Sequence, residues 1–209
     1  MRQHNDMLAE SNFLAAAKYG DTDAEMMLGK LYLEGSKLDY AKALSWSRKA
    51  ADKGSAGALL NMGLIYREGL GVSVDQNKAL SYFQQAAAVG QFKGNRYIGL
   101  YYAEHGDATR AVSYYQKAAD QGDITSQFYL GQAYQYGKGT GQDFALAKRW
   151  YEKSAFRGDI IASDGMTGLA SLYERGDGVP RDETKAKALY QQAAKTGNTF
   201  AAEQLKRLK

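Results

Sequence analysis

Side-chain catalysis needs a nucleophile, a base or a bound metal, and this chain is short of the usual parts. It has two histidines, His4 and His105, and no cysteine. Zinc ligation and Cys-His or Ser-His-Asp relays therefore lack their components, and neither histidine has a partner at ligand spacing. The run Gly137-Lys138-Gly139-Thr140-Gly141 has the glycine density of a phosphate loop. No Lys followed by Ser or Thr comes after its last glycine, however, and no strand precedes it, so it reads as a turn. Carboxylates are numerous, but nothing in their spacing marks two of them as a general acid and base. Asp75, Asp143 and Asp182 instead each follow a Gly-rich stretch, where a carboxylate accepts hydrogen bonds from the free amides opening a helix. No catalytic residue, cofactor or metal ligand is assigned.

The elements that carry these residues recur. Five times the chain returns to a small-residue pair (Leu28-Gly29, Met62-Gly63, Ile98-Gly99, Leu130-Gly131, Leu169-Ala170), followed three positions later by Tyr32, Tyr66, Tyr102, Tyr134 or Tyr173. A loop then leads to Lys42-Ala43, Lys78-Ala79, Arg110-Ala111, Leu146-Ala147 or Lys185-Ala186 and on to a pair of small residues such as Ala50-Ala51. Gly54, Gly90, Gly122, Gly158 and Gly197 close the copies, at steps of 34, 36, 32, 36 and 39 residues counted from Gly20. A fixed period of this size is the mark of a repeat array.

Apolar residues at three- and four-residue steps make each half-copy a helix, so a copy is an antiparallel helix pair. Glycine within a helix costs about 1 kcal/mol against alanine, and Gly29, Gly63, Gly99 and Gly131 therefore need a packing reason. The expected one is a second helix crossing too closely for a larger side chain. The first and third copies are shortened in the loop between their helices, at Gly35 to Asp39 and His105 to Asp107, and the fifth carries extra residues around Asp159 to Asp164.

Hydrophobic residues make up 44% of the 209 and charged residues 24%, enough for a core and an ordinary polar surface. The net charge of +4 is scattered rather than gathered into one stripe, which argues against nucleic acid as a partner. No apolar run approaches the 18 residues of a membrane span. Residues 1–10 lack the basic start and apolar stretch of a secretory signal. The compartment is left open between two readings: periplasmic or secreted if Met1 replaces a removed leader, otherwise cytoplasmic.

The Gly-x-Gly-Val turn, the Asp, the Lys-Ala and the Ala-Ala recurring in one order resemble the Sel-one-like repeat (SLR), a branch of the tetratricopeptide-type α/α solenoids. The resemblance covers residues 21 to 197. It implies an all-α fold, a right-handed α/α superhelix forming a single domain over residues 1–209. Its repeats are expected at about 21–54, 55–90, 91–122, 123–158 and 159–197, with a partial repeat at 7–20 and a C-terminal cap at 198–209. Members of the family are adaptors that bind proteins or peptides on a concave face. In bacteria they often serve envelope assembly, signalling, host interaction or immunity to secreted toxins. A non-enzymatic scaffold with a protein or peptide partner, as a monomer or weak dimer, is the role implied.

If each motif glycine and its tyrosine face inward, the positions two or three before the glycine and one or four after it project onto that concave face. The candidate partner-binding residues are Asn61, Leu64, Arg67, Arg96, Tyr97, Leu100, Phe128, Tyr129 and Gln132, with Met26, Met27, Lys30, Leu33, Leu60, Gln135, Ser171 and Glu174 on the same register. Apolar residues flanked by Arg and Gln suit a protein-binding groove. The same residues also suit plain filling between successive helix pairs, and Arg96, Tyr97 and Tyr129 stand open between the two readings. Two further alternatives are a self-assembling oligomeriser and an enzyme with a site between repeats.

Overall fold

The computed structural model describes residues 2–36 and 38–208, with side chains from residue 5 onward. Among the described residues there are twelve α-helices and no strand. They are α1 (Arg2–Ala17), α2 (Thr22–Glu34), α3 (Tyr40–Ala51), α4 (Ala56–Glu68), α5 (Gln76–Ala88), α6 (Phe92–Glu104), α7 (Ala108–Asp120), α8 (Ile124–Tyr136), α9 (Phe144–Ala155), α10 (Ser163–Arg175), α11 (Glu183–Lys195) and α12 (Thr199–Arg207). None of them is long and apolar enough to cross a membrane.

The expected copies are the hairpins α2–α3, α4–α5, α6–α7, α8–α9 and α10–α11. One backbone bond explains the order Tyr, loop, Asp. The amides of Asp39, Asp75, Asp107, Asp143 and Asp182 donate to the carbonyls of Tyr32, Tyr66, Tyr102, Tyr134 and Tyr173 at 2.8–3.1 Å, closing the turn whatever the loop length. Each of these aspartates then caps its helix, accepting from the amide three residues on at 2.9–3.0 Å. Three of the first helices, α2, α4 and α8, are capped as well, by Asp21, Ser55 and Asp123, and α12 by Asn198, whereas α10 starts without a side-chain cap. At four of the five copies the residue three after the Asp is a cation. Lys42, Lys78, Arg110 and Lys185 lie over the rings of Tyr32, Tyr66, Tyr102 and Tyr173 at 4.1–5.2 Å. The basic residue of the cassette thus ties the start of its helix to the tyrosine ring of the preceding one.

Gly29 meets the close helix crossing expected, with a Cβ there 2.3 Å from Ser47 Oγ and 3.1 Å from its amide nitrogen, whereas the other three motif glycines have a different neighbour. A Cβ on Gly63 would stand 2.3 Å from the Phe83 ring, and on Gly131 2.4 Å from the Tyr151 ring; Gly99 faces the Tyr115 ring in the same way. A flat ring rather than a crossing backbone fills the space at these three places. Further crossings where one helix meets another's main chain are at Gly94, against the Phe83 carbonyl and Ala87 amide, and at Gly165, against Ser154 and the Ala155 amide. The extra residues after α9 form a bulged turn, held by Asp159 accepting from the amides of Ile161 and Ala162 at 3.1 Å.

By its internal contacts the chain divides into two compact units, residues 1–98 and 99–209. In the first, α1 packs on α2, α2 on α3, α3 on α4 and α4 on α5. Leu28, Tyr32, Ala43, Ala24 and Ala17 form one core cluster there. Glu25 is fully buried on α2, and its carboxylate is held by Lys49 and Lys53 of α3 and its C-terminal turn at 2.8 Å each. Burial pushes this carboxyl up, but the two lysines outweigh it and hold it below the usual carboxylate range. In the second unit α7 packs on α8, α8 on α9, α9 on α10, α10 on α11 and α11 on α12. Its largest cluster runs from Ala147 and Tyr151 through Met166, Leu169 and Leu172 to Tyr190 and Ala201.

Candidate functional site

In the first unit the candidate residues gather around one ring. Tyr97 of α6 stacks on Phe83 of α5, with centroids 4.7 Å apart and planes 15° from parallel. Two guanidinium groups lie over Tyr97, Arg96 at 4.9 Å and Arg67 of α4 at 5.5 Å. Arg67 also pairs with Glu68 at 3.5 Å. Leu64 is half-buried, as are the two arginines and Tyr97. Asn61 departs from the expected exposed face. It is buried, and its amide donates to the Met26 carbonyl at 3.4 Å, so it fills the space between α2 and α4. Arg96 and Tyr97 combine the two readings, with a ring packed on its neighbour below and cations above.

In the second unit the candidate residues line two recesses that share Gln132 and Tyr136. An apolar cleft of ≈ 500 Å³ lies between the end of α6, α7 and α8, lined by Leu100, Val112, Tyr115, Tyr129, Tyr136 and Lys138. The short third-copy loop leaves Ala103, Gly106 and Ala108 along its edge. Tyr129 packs on Tyr115 at 4.9 Å, the same relation that Tyr97 has to Phe83. The second recess is a polar groove of ≈ 260 Å³ between α8, α10 and α12, where Phe128, Gln132, Gln135, Ser171 and Glu174 meet the rings of Tyr151 and Tyr190.

A hydrogen-bonded network fixes the walls of this groove. The Tyr151 hydroxyl donates to Gln135 Oε1 at 2.8 Å, and Gln135 Nε2 donates to Asp177 Oδ2 at 3.2 Å and Ser171 Oγ at 3.4 Å. The Tyr190 hydroxyl donates to Glu174 at 3.0 Å, and Arg207 of α12 forms an ion pair with the same carboxylate. Burial pushes both phenols well above the ordinary tyrosine range, so they remain donors throughout the physiological interval. Side chains held by packing and by one another need little ordering when a guest arrives.

The register reading thus places Phe128, Gln132, Gln135, Ser171 and Glu174 in one groove, and Leu100 and Tyr129 in the other cleft. It missed Thr167, Gly168, Tyr190, Gln204 and Arg207. Gly168 stands two before the motif alanine, on the register already used, and was legible. Tyr190 and Arg207 come from the second helix of a copy and from the cap, outside that register. The His4 side chain lies outside the described residues, and His105 is exposed, with Nδ1 2.7 Å from the Tyr101 carbonyl. Among the described residues no group of three His, Cys, Asp or Glu is placed to hold a metal ion.

The family model described as Sel1 repeat matches residues 22–55, 56–91, 95–123, 124–159 and 163–198. The chain belongs to the Sel1 repeat family. Its five hairpins are therefore an α/α solenoid array of Sel1 repeats. Two solved Sel1-type structures are similar over most of its length. That of c5321, a protective antigen present in uropathogenic Escherichia coli strains displaying an SLR fold, is 39% identical with a TM-score of 0.78, covering 92% of this chain and 42% of that one. That of a Sel1 repeat protein from Oxalobacter formigenes is 31% identical with a TM-score of 0.79, covering 88% of this chain and 77% of that one. Among curated proteins, the ERAD-associated E3 ubiquitin-protein ligase component HRD3 of Candida glabrata is 41% identical over 78 residues, 37% of this chain and 9% of that protein. The chain thus spans a small part of that relative. Sel1 repeat proteins typically act as protein-interaction scaffolds.

Proposed function

We propose that this Sel1 repeat protein is a non-enzymatic adaptor that binds a protein or peptide partner on the exposed register of its first helices. The observation carrying the proposal is the groove between α8, α10 and α12. Its walls are Gln, Ser and Glu side chains braced by buried tyrosines, and its edge offers Phe128. Aromatic and amide groups on a rigid wall suit a polypeptide, whose backbone supplies donors and acceptors and whose side chains supply apolar area. The bacterial sources of the two solved structures above support a bacterial setting.

The test is affinity capture from a bacterial lysate, with Phe128→Ala/Gln132→Ala as the control bait. A protein retained by the wild type and lost by a folded control is the expected result. If nothing separates the two baits, and the wild type turns over a member of a hydrolase substrate panel that single carboxylate variants do not, the adaptor reading falls.

A further inference from the structure

We infer that the groove at Gly168 receives an aromatic side chain of the partner, with a neighbouring carboxylate of the same segment reaching Arg175. This rests on the adaptor reading and specifies what that site binds. One register position changes along the repeats. Two residues before the motif's small residue, α6 carries Tyr97 and α8 carries Tyr129, and each ring lies against the aromatic ring of the preceding helix, Phe83 or Tyr115. In α10 the same position is Gly168. A Cβ there would stand 2.3 Å from the Tyr151 ring, so Tyr151 has closed onto the glycine backbone. No ring of α10 takes the place that Tyr97 and Tyr129 hold in their copies, and there the ≈ 260 Å³ groove opens.

Volume and charge narrow the occupant. A space of this size lies below the roughly 300–1,000 Å³ of small-molecule pockets and suits one large side chain. Tyr151, Tyr190, Phe128 and Phe200 border it, offering ring faces and edges of the kind aromatic groups pair with. Glu174 is already neutralised by Arg207, whereas Arg175, exposed at the edge, has no ion pair among the described residues. Asp164 at the other end of the groove and Asp177 beside it also lack an ion pair, but they accept from the amides of Asn198 and Gln135, which leaves Arg175 as the charged group there without a hydrogen bond or ion pair among the described residues, placed to meet a carboxylate.

The probe is the peptide acetyl-Gly-Tyr-Glu-Gly-amide, titrated into ¹⁵N-labelled full-length protein by NMR, beside versions carrying Leu for Tyr and Gln for Glu. Saturable shifts at the amides of Thr167, Gly168 and Ser171 are expected. Binding should weaken about two- to tenfold on losing the ring and about two- to fivefold on losing the carboxylate. Ser171→Trp, which fills the groove, should abolish the shifts. Arg175→Gln, a surface change, should erase the difference between the Glu and Gln peptides while leaving the tyrosine preference. Absence of saturable shifts, equal binding of the Leu peptide, or an acid preference that survives Arg175→Gln overturns the inference. If the lysate partner is still captured in that case, the adaptor reading stands and only the aromatic assignment falls.

Discussion

The Tyr151 hydroxyl and the Gln135 carboxamide meet at 2.8 Å with both side chains 1% exposed, so the bond joining α9 to α8 is out of reach of bulk water. Removing the donor alone leaves a buried acceptor unpaired. Tyr151→Phe should therefore destabilise the protein by about 1–3 kcal/mol, read as a lower urea midpoint at unchanged slope. A shift of a few tenths would mean that Gln135 finds another donor.

Gly63 against Phe83 gives a second test, since a side chain there must displace a packed ring. Gly63→Leu should cost about 1–3 kcal/mol or more from overpacking, and Gly63→Leu/Phe83→Ala should recover part of it. An unchanged midpoint in the single variant would contradict the tight ring contact.

Acid should loosen the helix starts and the Glu25 contact together. Asp39, Asp75 and Asp107 accept first of all from the backbone amides of Lys42, Lys78 and Arg110, which hold their carboxyls below the ordinary range; Glu25 is lowered by its lysines. A folded pKa below the unfolded one means stability that is complete above the unfolded values and lost as pH falls through the folded ones. The melting temperature should therefore owe these groups no change between pH 7 and about 5 and fall below about pH 4. The deficit of Glu25→Gln at pH 7 should narrow over the same acid interval. A gap between the two proteins that stays constant to pH 2 would exclude the ion pairs as its source.

Lys185 lies over Tyr173 at 4.1 Å, and its ammonium donates to the phenol oxygen at 2.8 Å. The fourth copy does without this contact, placing Leu146 where the cation stands elsewhere, while the Leu146 amide still donates to Asp143. Lys185→Leu should accordingly keep the hairpin and lose about 0.5–1 kcal/mol, a cost visible in thermal melts at low and high salt alike. A loss several times larger would assign Lys185 a role beyond the ring contact.

Much of the fold could be read from residue order because each repeat is assembled by local bonds. The Tyr carbonyl, the Asp cap and the closing glycine lie within one copy, and their spacing alone specifies a helix hairpin that recurs. The candidate site was legible only where it follows the same register, as with Phe128, Gln132, Ser171 and Glu174. Asn61 shares that register yet is buried, because Met26 of the preceding first helix offers its carbonyl to it. Residue order specifies the helices, their pairing and their caps, which depend on neighbours a few residues apart. Contacts across the fold instead set Gly63, Gly99 and Gly131 against rings and open at Gly168 a groove completed by Tyr190 and Arg207. Those outcomes depend on which side chains from different helices reach the same space, and no spacing along the chain encodes that competition.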